Sequence, residues 1–123
     1  MYPPLGVAMT SPLRVLFCVT VTQNFFDLPQ SAVPGVLQAF GAALANLPER
    51  FGITLVGTLD DDVVDVGAVP GRTTAYILAD APDVETVRKV CNVFRTTPVG
   101  EHLLWRYGNI ETRIGRQASG FKV

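Results

Sequence analysis

From Leu13 to Thr22 the chain alternates, with Leu13, Val15, Phe17, Val19 and Val21 on one side and Arg14, Leu16, Cys18, Thr20 and Thr22 on the other. Successive side chains of an extended segment point to opposite faces, and this one is rich in β-branched residues and lacks Gly and Pro. It predicts a strand with a core side and a mixed side. From Ser31 to Asn46 the period changes. Val33, Val36, Leu37, Phe40, Leu44 and Leu47 recur at steps of three and four, Ser31 is placed as the N-cap, Pro34 falls in the first turn and Pro48 stops the run. That pattern predicts a helix, whose opposite face, with Gln38, Gly41, Ala42 and Ala45, is bare of charge.

Gly52 to Asp60 predicts a second strand, with Ile53, Leu55 and Leu59 opposite Thr54, Val56, Thr58 and Asp60. A short strand or hairpin arm is expected between Val63 and Val66, before the Pro70-Gly71 turn. Thr73 to Asp80 predicts a third strand, again two-sided: Ala75, Ile77 and Ala79 against Thr74, Tyr76, Leu78 and Asp80. Asp83 then caps a helix with a stripe of Val84, Val87, Val90, Cys91 and Phe94, leaving Glu85, Arg88, Lys89 and Asn92 to water. Arg95 to Gly100 reads as a loop, and a final strand is expected to begin near Glu101 or His102 and run through the Glu101 to Arg116 stretch. The order β, α, β, β, α, β predicts an α+β, ferredoxin-like domain over residues 13–116, with residues 1–12 as an N-terminal arm and 117–123 as a tail.

Right-handed crossovers put both helices on one face of the antiparallel sheet. The other face would carry Cys18, Thr20, Thr22, Thr54, Val56, Thr58, Tyr76, Leu78, Trp105 and Tyr107, too apolar a set for water, so a homodimer closing sheet against sheet over a cavity is expected. A chain of 123 residues with 48% apolar and 17% charged positions fits one globular domain. Its net charge of -1 supplies no basic field for nucleic acid. Seven of eleven acids lie between Asp60 and Glu85, and seven of ten bases from Arg88 onward, which reads as opposed solvated patches or a device that orients a partner or anion. Cys18 and Cys91, far apart in apolar segments, read as reduced, buried thiols. No signal peptide or long apolar run is present, so a cytoplasmic protein with no membrane partner is expected.

The Glu101 to Arg116 stretch holds the only His, the only Trp, three of eight Arg and two of four Glu. Trp105 and Tyr107 would be flat walls for an aromatic ring or anchors of a dimer interface. His102, the one side chain with an unperturbed pKa near neutrality, would be a general base or a structural residue on the opposite parity from Trp105. Glu111 and Arg113 would form an ion pair or hold a substrate carboxylate. Asp60 is a further proton-transfer candidate, and Tyr76, Thr20, Asn24 and Thr58 are further pocket residues. Asp60, Asp61, Asp62 and Asp65 depart from the EF-hand spacing and read as a solvated acidic loop, so no metal is expected. The nucleophile-elbow, P-loop, dinucleotide and zinc motifs are absent.

A short βαββαβ chain with an apolar open face resembles the dimeric α+β barrel superfamily of muconolactone isomerases, small cofactor-free monooxygenases and polyketide cyclases. Within it, GTLDDD (57–62), DVETVRKVCNVFRTTPVG (83–100) and LLWRYGNIETRIGR (103–116) are similar to a small accessory protein group encoded with bacterial indole-3-acetate catabolism. The resemblance implies a pocket for an aromatic or polyketide-like metabolite without a bound cofactor, and it transfers no catalytic residue. Two readings stay open. One is an isomerase, cyclase or monooxygenase using His102, Asp60 or Glu111 for proton transfer. The other is a non-catalytic partner that binds such a metabolite or assembles with a pathway enzyme.

Overall fold

The computed structural model describes residues 12–61 and 74–116. Strands β1 (Leu13–Val21), β2 (Thr54–Asp60), β3 (Ala75–Ala81) and β6 (Gly108–Gly115) form one antiparallel sheet in the order β2-β3-β1-β6. A two-residue ladder, β4 (Pro98–Val99) with β5 (His102–Leu103), stands apart as a small hairpin. The main helices are α1 (Val33–Leu44) and α2 (Val84–Cys91). This is the ferredoxin-like α+β plan, with both helices on one face of the sheet. The expected arm between Val63 and Val66 lies outside the described residues.

β1 is paired along its length on both sides, from Leu13 with Ala81 to Val19 with Ala75, and from Arg14 with Gly115 to Val21 with Gly108. Its alternation therefore divides the molecule. Val15, Phe17 and Val19 are buried beneath the helices with Ile77, Ala79, Val87, Val90, Val93 and Phe94. Phe17 and Val15 have no exposed surface, and burying such side chains contributes about 1.5 to 3 kcal/mol each.

Three local devices place the helices. Asp83, in extended conformation, accepts hydrogen bonds from the backbone N–H (2.8 Å) and hydroxyl (2.7 Å) of Thr86, and these bonds hold its carboxyl below the ordinary range. At the far end of α1, Arg50 Nη1 donates to the carbonyls of Ala43 (2.8 Å) and Ala45 (2.7 Å), which the helix leaves without partners. Asn46 (φ 54°) and Gly52 (φ 69°) take left-handed conformations that turn the chain from α1 through the Leu47–Phe51 helical turn into β2. Ser31 is not the expected cap. It sits within a 3-10 turn, Gln30–Ala32, and α1 starts at Val33 with no side-chain cap. Leu37, expected in the buried stripe, is 54% exposed, while Val36 of that stripe is buried and Ala43 joins it. The expected charge-free face of Gln38, Gly41, Ala42 and Ala45 is exposed.

Two departures change which side chains share a face. The register of β2 against β3 shifts between Leu55 and Gly57, so an extra residue at Val56 inverts the parity beyond it. Leu59, opposite Tyr76, lies on the helix-free face, whereas Thr58, opposite Ile77, and Asp60, opposite Ala75, lie on the helix side. The last strand starts at Gly108 rather than near residue 101, because Leu104–Arg106 closes into a 3-10 turn whose Leu104 is fully buried. Gly108 is required where the strand begins. A Cβ there would lie 2.5 Å from the Phe40 ring and 3.2 Å from Phe94, and those two rings already meet edge to face at 5.8 Å.

Gly108→Ala is therefore expected to lose about 1 to 3 kcal/mol in urea unfolding through overpacking, while Gly115→Ala, whose added Cβ meets nothing within 4 Å, stays near the parent.

Candidate functional site

The helix-free face is built in rows that run across the strands. One row joins Thr54, Asp80, Arg14 and Gly115; the next joins Gly57, Leu78, Leu16 and Arg113; the third joins Leu59, Tyr76, Cys18 and Glu111. Thr20 lies opposite Asn109 at the far end. The centre is apolar: Leu16, Cys18, Tyr76 and Leu78 are half-buried and Leu59 is 60% exposed, although no helix covers them. Polar groups bound this patch. Arg14 Nε and Nη2 donate to the two carboxylate oxygens of Asp80 at 2.6 and 3.2 Å, a forked ion pair that raises the arginine above its ordinary value. The Tyr76 hydroxyl donates to Asp61 Oδ2 at 3.3 Å.

Along the opposite border stand Glu111 and Arg113. The expected ion pair between them is not formed; among the described residues the ion pairs are Arg14 with Asp80 and Arg88 with Glu85. Two residues apart on a strand, their stems rise side by side about 6.5 Å from each other, and nothing forces the long side chains together. Both are exposed and free to meet a ligand. Their fields meet at Cys18. Burial raises the Cys18 thiol above its ordinary value, Arg113 pulls it back down and Glu111 adds to the rise. Both cysteines are free and partly buried rather than fully buried as expected, Cys18 on the helix-free face and Cys91 against the core.

Of the candidate catalytic and pocket residues, Thr20, Tyr76, Glu111 and Arg113 thus share the helix-free face, and His102, Asp60, Trp105, Tyr107, Asn24 and Thr58 do not. Thr58 and Asp60 are turned to the helix side by the bulge. Asn24 Nδ2 and Thr22 Oγ1 both donate to the Arg106 carbonyl, at 3.1 and 2.7 Å, and so clamp the 3-10 turn against the end of β1. Trp105, in that turn, is 57% exposed and borders an open groove of about 870 Å³ between α2 and β6, with Phe94 and Ile110. Tyr107 is buried, and His102 stands edge-on to it with ring centroids 6.4 Å apart. Those two rings border a separate cleft of about 420 Å³ between α1 and the β4-β5 hairpin. The three proton-transfer candidates, His102, Glu111 and Asp60, do not converge. Among the described residues no three His, Cys, Asp or Glu side chains come together to hold a metal ion. Leu16, Leu59 and Arg14 belong to the face but were missed as site residues. Leu16 and Arg14 had the right alternation; Leu59 was hidden by the bulge.

No protein-family model matches the sequence, and no curated protein does either. Among solved structures, the chain is similar to the RPA0582 protein, of unknown function, from Rhodopseudomonas palustris. The methylated form gives a TM-score of 0.59 at 13% identity over 98% of this chain and 96% of that one, and another crystal structure gives 0.52 at 14% over 92% and 91%. These likenesses show the fold. A fainter one, TM-score 0.48 at 17% identity, is to a chlorite dismutase mutant from Candidatus Nitrospira defluvii, over 89% of this chain and 42% of that one; it is too weak to carry a functional reading. Among the described residues no helix is long and apolar enough to cross a membrane.

The electrostatic arrangement around Cys18 makes a directional prediction. In a Cys91→Ser background at pH 8, Cys18 should react with iodoacetamide more slowly than free cysteine, Arg113→Ala should slow it further, and Glu111→Gln should speed it. Equal rates in all three chains would show that neither charge reaches the thiol.

Proposed function

We propose that the helix-free face binds a small, flat, apolar metabolite carrying an acidic group, in a pocket completed by a second copy of the chain laid sheet against sheet. The arrangement is that of the dimeric α+β barrel superfamily. The observation that carries the reading is the Leu16, Cys18, Tyr76, Leu78 and Leu59 patch bordered by Arg113, an arginine with no carboxylate partner among the described residues. An apolar patch of this kind is costly in water, and a guanidinium fork at its border matches a carboxylate in geometry and charge. The Tyr76 ring offers a surface for an aromatic ring, and Thr20 and Asn109 close the far end with groups that form hydrogen bonds.

A multi-residue acid–base mechanism finds less support than binding does, because His102 and Asp60 lie off this face. Glu111 is the one proton-transfer candidate that borders the patch, so any isomerase, cyclase or monooxygenase chemistry here would rest on it. Non-catalytic metabolite binding needs no such group.

Phenylacetate is a suitable probe, with benzyl alcohol as its uncharged counterpart. Amide shifts on titration should map to Leu16, Cys18, Tyr76 and Leu78, and Arg113→Ala should weaken phenylacetate about tenfold or more while leaving benzyl alcohol nearly unchanged, the scale of a lost charge-assisted bond. Undiminished phenylacetate binding in Arg113→Ala contradicts the proposal.

A further inference from the structure

We infer a second, chemically distinct ligand site in the cleft between the first half of α1 and the β4-β5 hairpin, which takes a small neutral or cationic aromatic molecule. The cleft is open on its outer side and spans about 420 Å³, comparable with the range of about 300 to 1,000 Å³ usual for small-molecule sites. Its walls are apolar, from Leu28, Ala32, Val36, Ala39 and Val99. Three features go beyond a surface dent.

The first is Tyr107. The residue is only 6% exposed, yet its hydroxyl makes no hydrogen bond within the protein among the described residues. No buried side-chain oxygen or nitrogen there lacks a partner, so this unpartnered hydroxyl keeps some exposed surface, and Tyr107 lines the cleft. A hydroxyl at an apolar wall presents one donor and two acceptor positions to whatever enters. The second is the edge-on pair of Tyr107 and His102, which gives the cleft an aromatic side suited to a flat ring. The third is Gly35. Glycine inside a helix costs about 0.5 to 1 kcal/mol relative to alanine, and a Cβ built at this position meets nothing within 4 Å. Its absent side chain leaves one wall of the cleft open.

Charge sets the ligand class. Among the lining residues Glu101 is the one acidic side chain and none is lysine or arginine, so the cleft disfavours an anion and accommodates an amine or a neutral polar group. The helix-free face differs in carrying Arg113, which has no carboxylate partner among the described residues, beside Glu111 and the Arg14–Asp80 pair. Nothing in this inference depends on the second copy of the chain or on the proposed binding there.

The experiment uses the full chain and three probes of one ring and different charge: benzylamine, benzyl alcohol and benzoate. The inference predicts amide shifts centred on Leu28, Gly35, Val36, Gly100 and Tyr107, in the order benzylamine, benzyl alcohol, then benzoate. Tyr107→Phe, which keeps the ring and its packing, should weaken benzylamine about fivefold, as expected for one hydrogen bond. Gly35→Leu, whose Cβ meets nothing within 4 Å, should abolish binding, and Arg113→Ala should leave it unchanged. Shifts confined to the helix-free face, a preference for benzoate, or unchanged binding in both Tyr107→Phe and Gly35→Leu would overturn the inference. Because benzylamine in the cleft and phenylacetate on the helix-free face are read from different amides, one site can fail while the other stands.

Discussion

The pairing of β1 on both of its edges constrains everything else in this protein. Once Val15, Phe17 and Val19 are fixed toward the helices, the strand pleat sends Arg14, Leu16, Cys18 and Thr20 the other way, and the register of β3 and β6 aligns Asp80, Leu78, Tyr76, Arg113 and Glu111 with them. The same strand therefore supplies the core and organises the uncovered face. A register slip of one residue would exchange the two faces along its whole length, placing Arg14 against the helices and Phe17 in water. The complete burial of Val15 and Phe17 is what excludes that slip.

A second constraint acts at the other end of the molecule. Gly108 lets β6 begin against the Phe40 and Phe94 rings, and the seven residues before it turn through the β5 pair and the Leu104–Arg106 turn instead of continuing the sheet. That delay divides what one continuous strand would have joined. Asn109, Glu111 and Arg113 border the helix-free face, Trp105 stands at the α2-β6 groove, and His102 and Tyr107 meet at the α1 cleft. Arg113, with no carboxylate partner among the described residues, borders the first of these places and Glu101 the last, so the two candidate sites differ in the unpaired charge they present.

Periodicity made the four sheet strands, both principal helices and the Asp83 cap legible, because each is written in side chains that recur at a fixed step. The features that escaped are those that leave the step unchanged. A bulge adds one residue without altering composition, so TLVGTLD reads as an uninterrupted alternation although Val56 inverts it, and Thr58 and Asp60 change sides. The Leu104–Arg106 turn presents the same alternation as a strand, and only the packing of Leu104 and the clamp of Thr22 and Asn24 on the Arg106 carbonyl distinguish it. Half of the expected face residues, Cys18, Thr20, Thr54, Tyr76 and Leu78, were consequently placed correctly, all of them on β1, on β3 or before the shift in β2. The Glu111 and Arg113 pair shows a different limit. Two residues apart fixes a shared face, but not whether their charged ends meet.

The central claim, that the Leu16, Cys18, Tyr76 and Leu78 face is completed by a second copy, is tested most directly by sedimentation equilibrium at micromolar concentration, with Leu78→Lys as the companion chain. Leu78 is half-buried on the uncovered face, so a lysine there spares the core and would disturb the proposed sheet-to-sheet contact. The account predicts twice the 13.3 kDa chain mass for the parent and 13.3 kDa for Leu78→Lys. A monomeric parent, or a Leu78→Lys chain that remains dimeric, would contradict it.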